Sequence, residues 1–314
     1  MEKTCSNILI TGGLGFIGTN LIKKTVSDDN YRITVLDNYS NTSNTIDDSR
    51  EFEIIRGDIE DAELVSTVVR GKDIVVHFAA HTRVIDSIET PLKNFSINVA
   101  GTLNVLEAMR KHQVPRIINA STGGAILGEV VPPVHEEIAP KPMAPYGASK
   151  LAAEAYCSAY AHSYGMSFMN LRFSNVYGKY SINKASAVAA FIKNIIRTGE
   201  VTVYGDGSQT RDYLYVEDLV NGIIQAMQSS CNGTYQLGSG VPTSINTLLD
   251  ILRETLPIDF KCIYEDFRPG EIKHTHCDIS KARNGFGYNP TTSLHDGIKN
   301  TWEWYKTHYN QPAL

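Results

Sequence analysis

Blocks of apolar residues punctuate the chain at two different periods. Short runs rich in β-branched and aliphatic side chains occupy residues 7–11, 32–37, 52–56, 73–78, 116–120 and 167–173. Most are apolar at nearly every position, which predicts strands covered on both faces rather than on one. Between them the period lengthens. Phe16, Ile17, Leu21 and Val26 recur at helical spacing, residues 92–109 form a longer helical pattern with Pro91 suited to its first turn, and residues 146–164 form an Ala-rich one. Strand and helix in alternation predict an α/β architecture built on a doubly wound parallel sheet.

After about residue 177 Gly, Asn, Ser and Pro become frequent and the elements shorten. Residues 1–177 are therefore expected to form the sheet domain and residues 178–314 mainly a smaller α+β domain that binds substrate. The boundary is not a single cut. Residues 233–240 read as a strand returning to the main sheet, within a returning segment around residues 213–240.

The chain has 314 residues, 42% hydrophobic and 20% charged, an ordinary globular composition that excludes wholesale disorder. With 29 Lys and Arg against 34 Asp and Glu, a net charge of −5, nothing points to nucleic acid or an anionic membrane as a partner. Cys5, Cys157, Cys231, Cys262 and Cys277 are scattered and form no CxxC pair, which argues for reduced thiols. No apolar run is long enough to span a bilayer, and a cytoplasmic location is expected.

The first strand runs into Gly12-Gly13-Leu14-Gly15-Phe16-Ile17-Gly18. Gly12 suits a tight turn, Gly15 lets the backbone approach a pyrophosphate, and Gly18 lets the next helix pack closely on the strand. The helix N-terminus at Phe16 and Ile17 then offers free N–H groups and a favourable dipole to phosphates. Three such glycines between a strand and a helix form a Rossmann-type dinucleotide fingerprint. Asp37, at the end of the second strand, can accept hydrogen bonds from both ribose hydroxyls and would repel a 2′-phosphate, so NAD is expected over NADP. Asp58, after the third strand, is a candidate for the adenine edge, with Asn38 and Ile59 as further cofactor contacts. Ala79-Ala80 after the fourth strand would let the cofactor pass closely.

Tyr146-Gly147-Ala148-Ser149-Lys150 puts Tyr146 and Lys150 four apart, on one helical face. A free phenol titrates near ~10, too high for a base at neutral pH. A neighbouring ammonium and a positive nicotinamide ring would both favour the phenolate. Tyr146 could then take a proton from a substrate hydroxyl while hydride leaves the same carbon, with Lys150 holding the nicotinamide ribose. The fifth strand ends in Ala120-Ser121-Thr122-Gly123-Gly124. The hydroxyl of Thr122 or of Ser121 could donate to the substrate oxygen and share its proton with Tyr146.

Together these residues resemble the extended short-chain dehydrogenase/reductase superfamily, and within it the NAD-dependent nucleotide-sugar epimerases and dehydratases, above all UDP-glucose 4-epimerase-like proteins. The likeness spans nearly the whole chain. Besides residues 11–18 and 146–150 it rests on His77-Phe78-Ala79-Ala80, Asn98 with Gly101-Thr102, and Leu171-Arg172-Phe173-Ser174-Asn175-Val176-Tyr177-Gly178. It continues in Gly205-Asp206-Gly207-Ser208-Gln209-Thr210-Arg211-Asp212-Tyr213 and Arg268-Pro269-Gly270-Glu271. The resemblance implies Asn98 at the cofactor, Asn175 and Arg211 on a sugar diphosphate, and Arg268 on the nucleotide's ribose or phosphates. It places Thr275 beside the sugar's C2 substituent, with room for an N-acetyl group. It implies a UDP-sugar substrate and a homodimer in which the helices at residues 92–109 and 146–164 pair across a two-fold axis. Two positions depart from the family pattern. Leu127 replaces a tyrosine before Gly128, and in some members' register the catalytic hydroxyl aligns with Gly123.

The reaction this implies is 4-epimerisation. Hydride leaves C4, the 4-keto sugar turns in the pocket, and hydride returns to the other face. A 4,6-dehydratase would also need an Asp-Glu pair directly after the strand-five hydroxyl. Glycines and Ala125 stand there, and Glu129 and Glu136 are at the wrong spacing. A 4-keto reductase, a C5-active epimerase and a non-catalytic NAD-binding protein are the remaining alternatives. His274-Thr275-His276-Cys277 offers two ligands at most on one strand face, so no metal is expected.

Overall fold

The apolar runs of the first half become neighbouring strands, as the computed structural model shows over residues 5–41, 52–267 and 272–309. In chain order the strands are β1 (Ser6–Thr11), β2 (Tyr31–Asp37), β3 (Glu53–Arg56), β4 (Ile74–His77), β5 (Arg116–Thr122) and β6 (Ser167–Phe173). They are followed by β7 (Asn175–Tyr177), β8 (Glu200–Tyr204), β9 (Thr210–Tyr215), β10 (Gly233–Leu237), β11 (Pro242–Ser244) and β12 (Lys261–Glu265). The first six and β10 form a parallel sheet in the order β10-β6-β5-β4-β1-β2-β3.

Successive side chains of a strand point to opposite faces, so a strand buried on both sides is apolar at most positions. Ile8 and Ile10 of β1, Ile33 and Val35 of β2, and Ile74 and Val76 of β4 pack into the layer that holds helices Phe16–Thr25 and Val216–Gln228. Leu9, Leu36, Val75 and Ile117 pack into the opposite layer with helices Ala62–Val69 and Gly101–His112 and with Cys157 of helix Pro145–Tyr164. The first layer runs on without a break to Trp302 and Tyr305 of helix Leu294–His308.

The helical pattern expected at residues 92–109 is one run with a defect. It comprises Pro91–Phe95, a π-helical turn at Ser96–Ala100, and Gly101–His112. Such a turn inserts an extra residue and re-aims a side chain, and here that side chain is Asn98. In the second half β7, β9 and β11 form a three-stranded sheet in the order β11-β9-β7, and β8 and β12 form a parallel pair. No helix among the described residues is long and apolar enough to cross a membrane.

Candidate active site

The strand order reverses between β1 and β4, and beyond the carboxyl ends of these strands a cleft of about 780 Å³ opens. Gly12 turns the chain at φ +66°, and a Cβ placed on it would lie 2.6 Å from the Ala79 nitrogen. The turn after β1 and the segment after β4 therefore touch backbone to backbone. Helix Phe16–Thr25 starts next. Its N-cap, Gly15, supplies no side-chain acceptor, which leaves the first-turn N–H groups available to an anion. Gly15, Phe16, Ile17 and Gly18 all line the cleft.

Asp37 closes β2 in a buried position on the cleft wall. Its Oδ2 accepts the Leu14 N–H at 3.0 Å and its Oδ1 accepts the Tyr39 N–H at 2.8 Å. Burial pushes its carboxyl above the ordinary value, against the pull of these two hydrogen bonds. Each oxygen keeps lone-pair capacity for a ribose hydroxyl. Asn38 donates from Nδ2 to Asp58 Oδ2 at 2.6 Å and so joins the loops after β2 and β3. Ile59 packs where a Cβ on Gly101 would stand, with its Cδ1 2.6 Å from that point. Asn38, Asp58, Ile59, Ala79 and Ala80 line the same cleft. The uncapped helix start, the bare glycine backbone and the buried carboxylate fit a dinucleotide, with the pyrophosphate at the turn and the ribose at Asp37.

Asn98, expected at the cofactor, is buried and lies beside the cleft, outside its lining. Its Nδ2 donates to the His81 carbonyl at 3.0 Å and to Ser149 Oγ at 2.9 Å, and its Oδ1 accepts the His81 N–H at 2.7 Å. With both amide hydrogens spent inside the protein, it fastens the loop after β4 to helix Pro145–Tyr164. A second buried link was not legible as such. Thr102 donates its hydroxyl to the Asn98 carbonyl at 2.6 Å, so the His77 Nε2–H donates to Thr102 at 3.0 Å, and His77 Nδ1 accepts from Thr11 at 2.7 Å. Burial pushes His77 down to about 3, which keeps it neutral in this network.

Tyr146, Lys150, Ser121 and Thr122 come together on one wall of the cleft. Lys150 Nζ donates to the Ala120 carbonyl at 2.9 Å, which fixes the helix against the end of β5. The two candidate hydroxyls differ. Ser121 is buried, and its hydroxyl donates a hydrogen bond to Glu154 Oε1 at 2.6 Å. Thr122 is half-buried, on the opposite face of the strand by alternation. Gly123 is turned toward the interior, where an added Cβ would meet Gln236 Oε1 at 2.8 Å. A hydroxyl there would not reach the cleft wall. Burial pushes the Tyr146 phenol up to about 12 and the Lys150 ammonium down to about 8. The neighbouring ammonium was expected to lower the phenol. Within the protein alone burial is what shifts it, and it shifts it upward.

The residues expected at the substrate lie apart from this wall. Asn175 of β7 stands opposite Tyr213 of β9, and Arg211 lies two positions earlier on β9. Arg211 Nη1 donates to the carbonyls of Thr210 at 2.9 Å and Lys273 at 3.1 Å, and the Thr275 N–H donates to the Thr210 carbonyl at 3.2 Å. Arg211 on β9 and Thr275 on the segment hydrogen-bonded beside it are thus brought together, with Asn175 on the neighbouring β7. None of the three is in the cleft lining, and Arg268 lies outside the described residues. His274 pairs its Nδ1 with Thr210 Oγ1 at 3.2 Å. Among the described residues no group of three or more His, Cys, Asp or Glu is placed to hold a metal. Tyr180, Asn183 and Lys184 also line the cleft. They sit on an irregular segment whose sequence carries no period.

The family model described as NAD dependent epimerase/dehydratase family matches residues 8–238. A putative UDP-glucose 4-epimerase of Methanocaldococcus jannaschii is 37% identical over 303 residues, covering 95% of this chain and 98% of its own. The structure of a UDP-glucose 4-epimerase from Thermotoga maritima with UDP-glucose superposes with a TM-score of 0.91 at 35% identity, over 97% of this chain and 100% of that one. A UDP-N-acetylglucosamine 4-epimerase from Methanobrevibacter ruminantium, in complex with UDP-N-acetylmuramic acid, reaches a TM-score of 0.92 at 29% identity, over 97% and 99%. A dinucleotide cleft at the strand reversal, a Tyr-Lys pair on its wall and a match that runs from β1 through β10 agree: the chain belongs to the NAD dependent epimerase/dehydratase family.

Proposed function

We propose that the protein is a UDP-hexose 4-epimerase, acting on the glucose/galactose pair or on its N-acetyl forms. The end of β5 supports this reading most. Thr122 reaches the cleft beside Tyr146 and Lys150, while Gly123 and Gly124 open a short helix where a 4,6-dehydratase needs two acids. Bound NAD supplies the hydride acceptor and donor. Tyr146 takes the proton from the C4 hydroxyl and returns it, and the Thr122 hydroxyl donates to the same oxygen. Lys150 holds the nicotinamide ribose and offers the phenolate a cation. Burial raises the phenol to about 12 in the protein alone, and the positive charge of a nicotinamide ring beside it would favour the phenolate. Asn175, Arg211 and Arg268 hold the diphosphate and nucleotide, since guanidinium forks suit phosphate oxygens. Thr275 borders the C2 substituent.

A proton NMR and mass time course in D2O with UDP-glucose and UDP-N-acetylglucosamine tests the reading. The expected product is a 4-epimer of unchanged mass with no ring deuterium. Loss of water with deuterium entering beside a ketone would replace it by a dehydratase. Absence of turnover of either sugar, in protein shown to hold NAD, would sink it.

The protein is also proposed to act as a homodimer. Ile85, Ile88, Leu92 and Phe95 are 57–83% exposed, an apolar run beside the helices expected to pair. Sedimentation should give twice the chain mass, and Leu92→Asp should halve it. A monomer for the unaltered chain would remove the proposal.

A further inference from the structure

Tyr146, Lys150 and Glu154 recur at four-residue intervals on helix Pro145–Tyr164, so the face that carries the cleft residues continues inward to a carboxylate. Glu154 is 5% exposed, and nothing in the proposed chemistry uses it. It accepts the Ser121 hydroxyl on Oε1 at 2.6 Å. Arg172 of β6 forks onto it, from Nε to Oε1 at 2.9 Å and from Nη2 to Oε2 at 2.7 Å. One carboxylate therefore ties the helix to the ends of two adjacent strands, β5 and β6, directly behind the wall that carries Thr122. A buried pair of this kind adds little net stability compared with apolar packing, but its forked bonds fix geometry, although Arg172 Nη1 finds no partner.

We propose that Glu154 is a positioning residue: held by Arg172, it accepts the Ser121 hydroxyl's hydrogen bond, leaves Thr122 as the hydroxyl that serves the substrate, and stands behind Lys150 as its counter-charge. The charged and titratable groups around Lys150 are few. Its own helix supplies Tyr146, Glu154 and Cys157, β4 supplies His77, and β6 supplies Arg172 through Glu154. His77 is neutral, and burial pushes the Cys157 thiol up to about 12, so Glu154 is the one negative charge in the group. Burial lowers Lys150 toward 8, and the Glu154 charge opposes that fall. Removing it lowers the Lys150 pKa further, so the ammonium is lost at a lower pH.

The test uses Glu154→Gln, which keeps the shape, and Glu154→Gln with Arg172→Met, which leaves no unpaired guanidinium. NAD affinity is measured by titration from pH 6 to 10, alongside turnover of whichever UDP-hexose the unaltered enzyme accepts. In the unaltered protein affinity should fall as pH rises through about 8. In both variants the fall should come about one pH unit lower, about a tenfold loss of affinity above it. The double variant should recover thermal stability without recovering the limb, and it decides the question if the single one does not fold. A limb that stays in place while only stability changes would overturn the proposal and leave Glu154 structural. The inference rests on the epimerase reading only for the turnover arm. Absence of any sugar turnover would defeat that reading, whereas the NAD titration judges Glu154 alone.

Discussion

Tyr146→Phe is expected to lower turnover by about 10²–10⁴-fold, the usual range for removing a general acid–base, while NAD still binds. The ring fills the same space, and the change deletes only the group that exchanges the proton. Its backbone N–H bond to Ser87 Oγ, at 3.1 Å, survives, as does the close seat of the helix start, where a Cβ on Gly147 would lie 2.0 Å from the Ala125 carbonyl oxygen. Fold and cleft should therefore be unchanged. Steady-state rates with a UDP-hexose, and NAD affinity by fluorescence, check both halves. A loss of binding matching the loss of rate would assign Tyr146 to holding the cofactor. Thr122→Val should cost less, because a hydroxyl that shares a proton is replaceable in part by water.

Gly12→Val should abolish most NAD binding. The position demands φ +66°, costly for any residue with a Cβ and worst for a β-branched one, and the added carbon would sit 2.6 Å from backbone that has no room to retreat. β1 and β4 would be forced apart at their carboxyl ends, where the first helical N–H groups are aimed. A hundredfold weaker affinity, about 2.8 kcal/mol, is expected, with a melting temperature lower by about 5 °C from the strain. Calorimetric titration with NAD and a thermal scan measure the two effects. Wild-type affinity in the variant would show that the close approach of residues 12 and 79 does not shape the site.

The parts legible in the sequence are those fixed by short-range physics. β1, β2 and β4 announced themselves because burial on both faces favours apolar side chains at nearly every position, with Thr11, Thr34, Asp37 and His77 as the buried polar exceptions. Tyr146 and Lys150 did so because four residues make nearly one helical turn. The bonds of Asn98 to His81 and Ser149 were not legible, because it sits in the π-helical turn at Ser96–Ala100, which no apolar period encodes. Strand alternation alone says that Ser121 and Thr122 face opposite ways, but both border the cleft, and which hydroxyl is already engaged inside the protein depends on Glu154, far along the chain. That partner carried a signal in its spacing from Tyr146 and Lys150. Asn175, Arg211 and Thr275 were named through resemblance, since three-residue strands such as β7 and β11 show too few positions for a period.

The strand β10 has a consequence for how the chain is made. It is the edge neighbour of β6, from Gly233 opposite Met169 to Leu237 opposite Phe173, yet it is translated only after β7, β8 and β9. Until then β6 presents an unpaired row of backbone donors and acceptors, an invitation to strands of other nascent chains. A fragment ending at residue 177 would carry that bare edge permanently and should aggregate. The sheet is therefore finished late, by a segment borrowed from the half of the chain that follows it, and the two halves must complete their folding together.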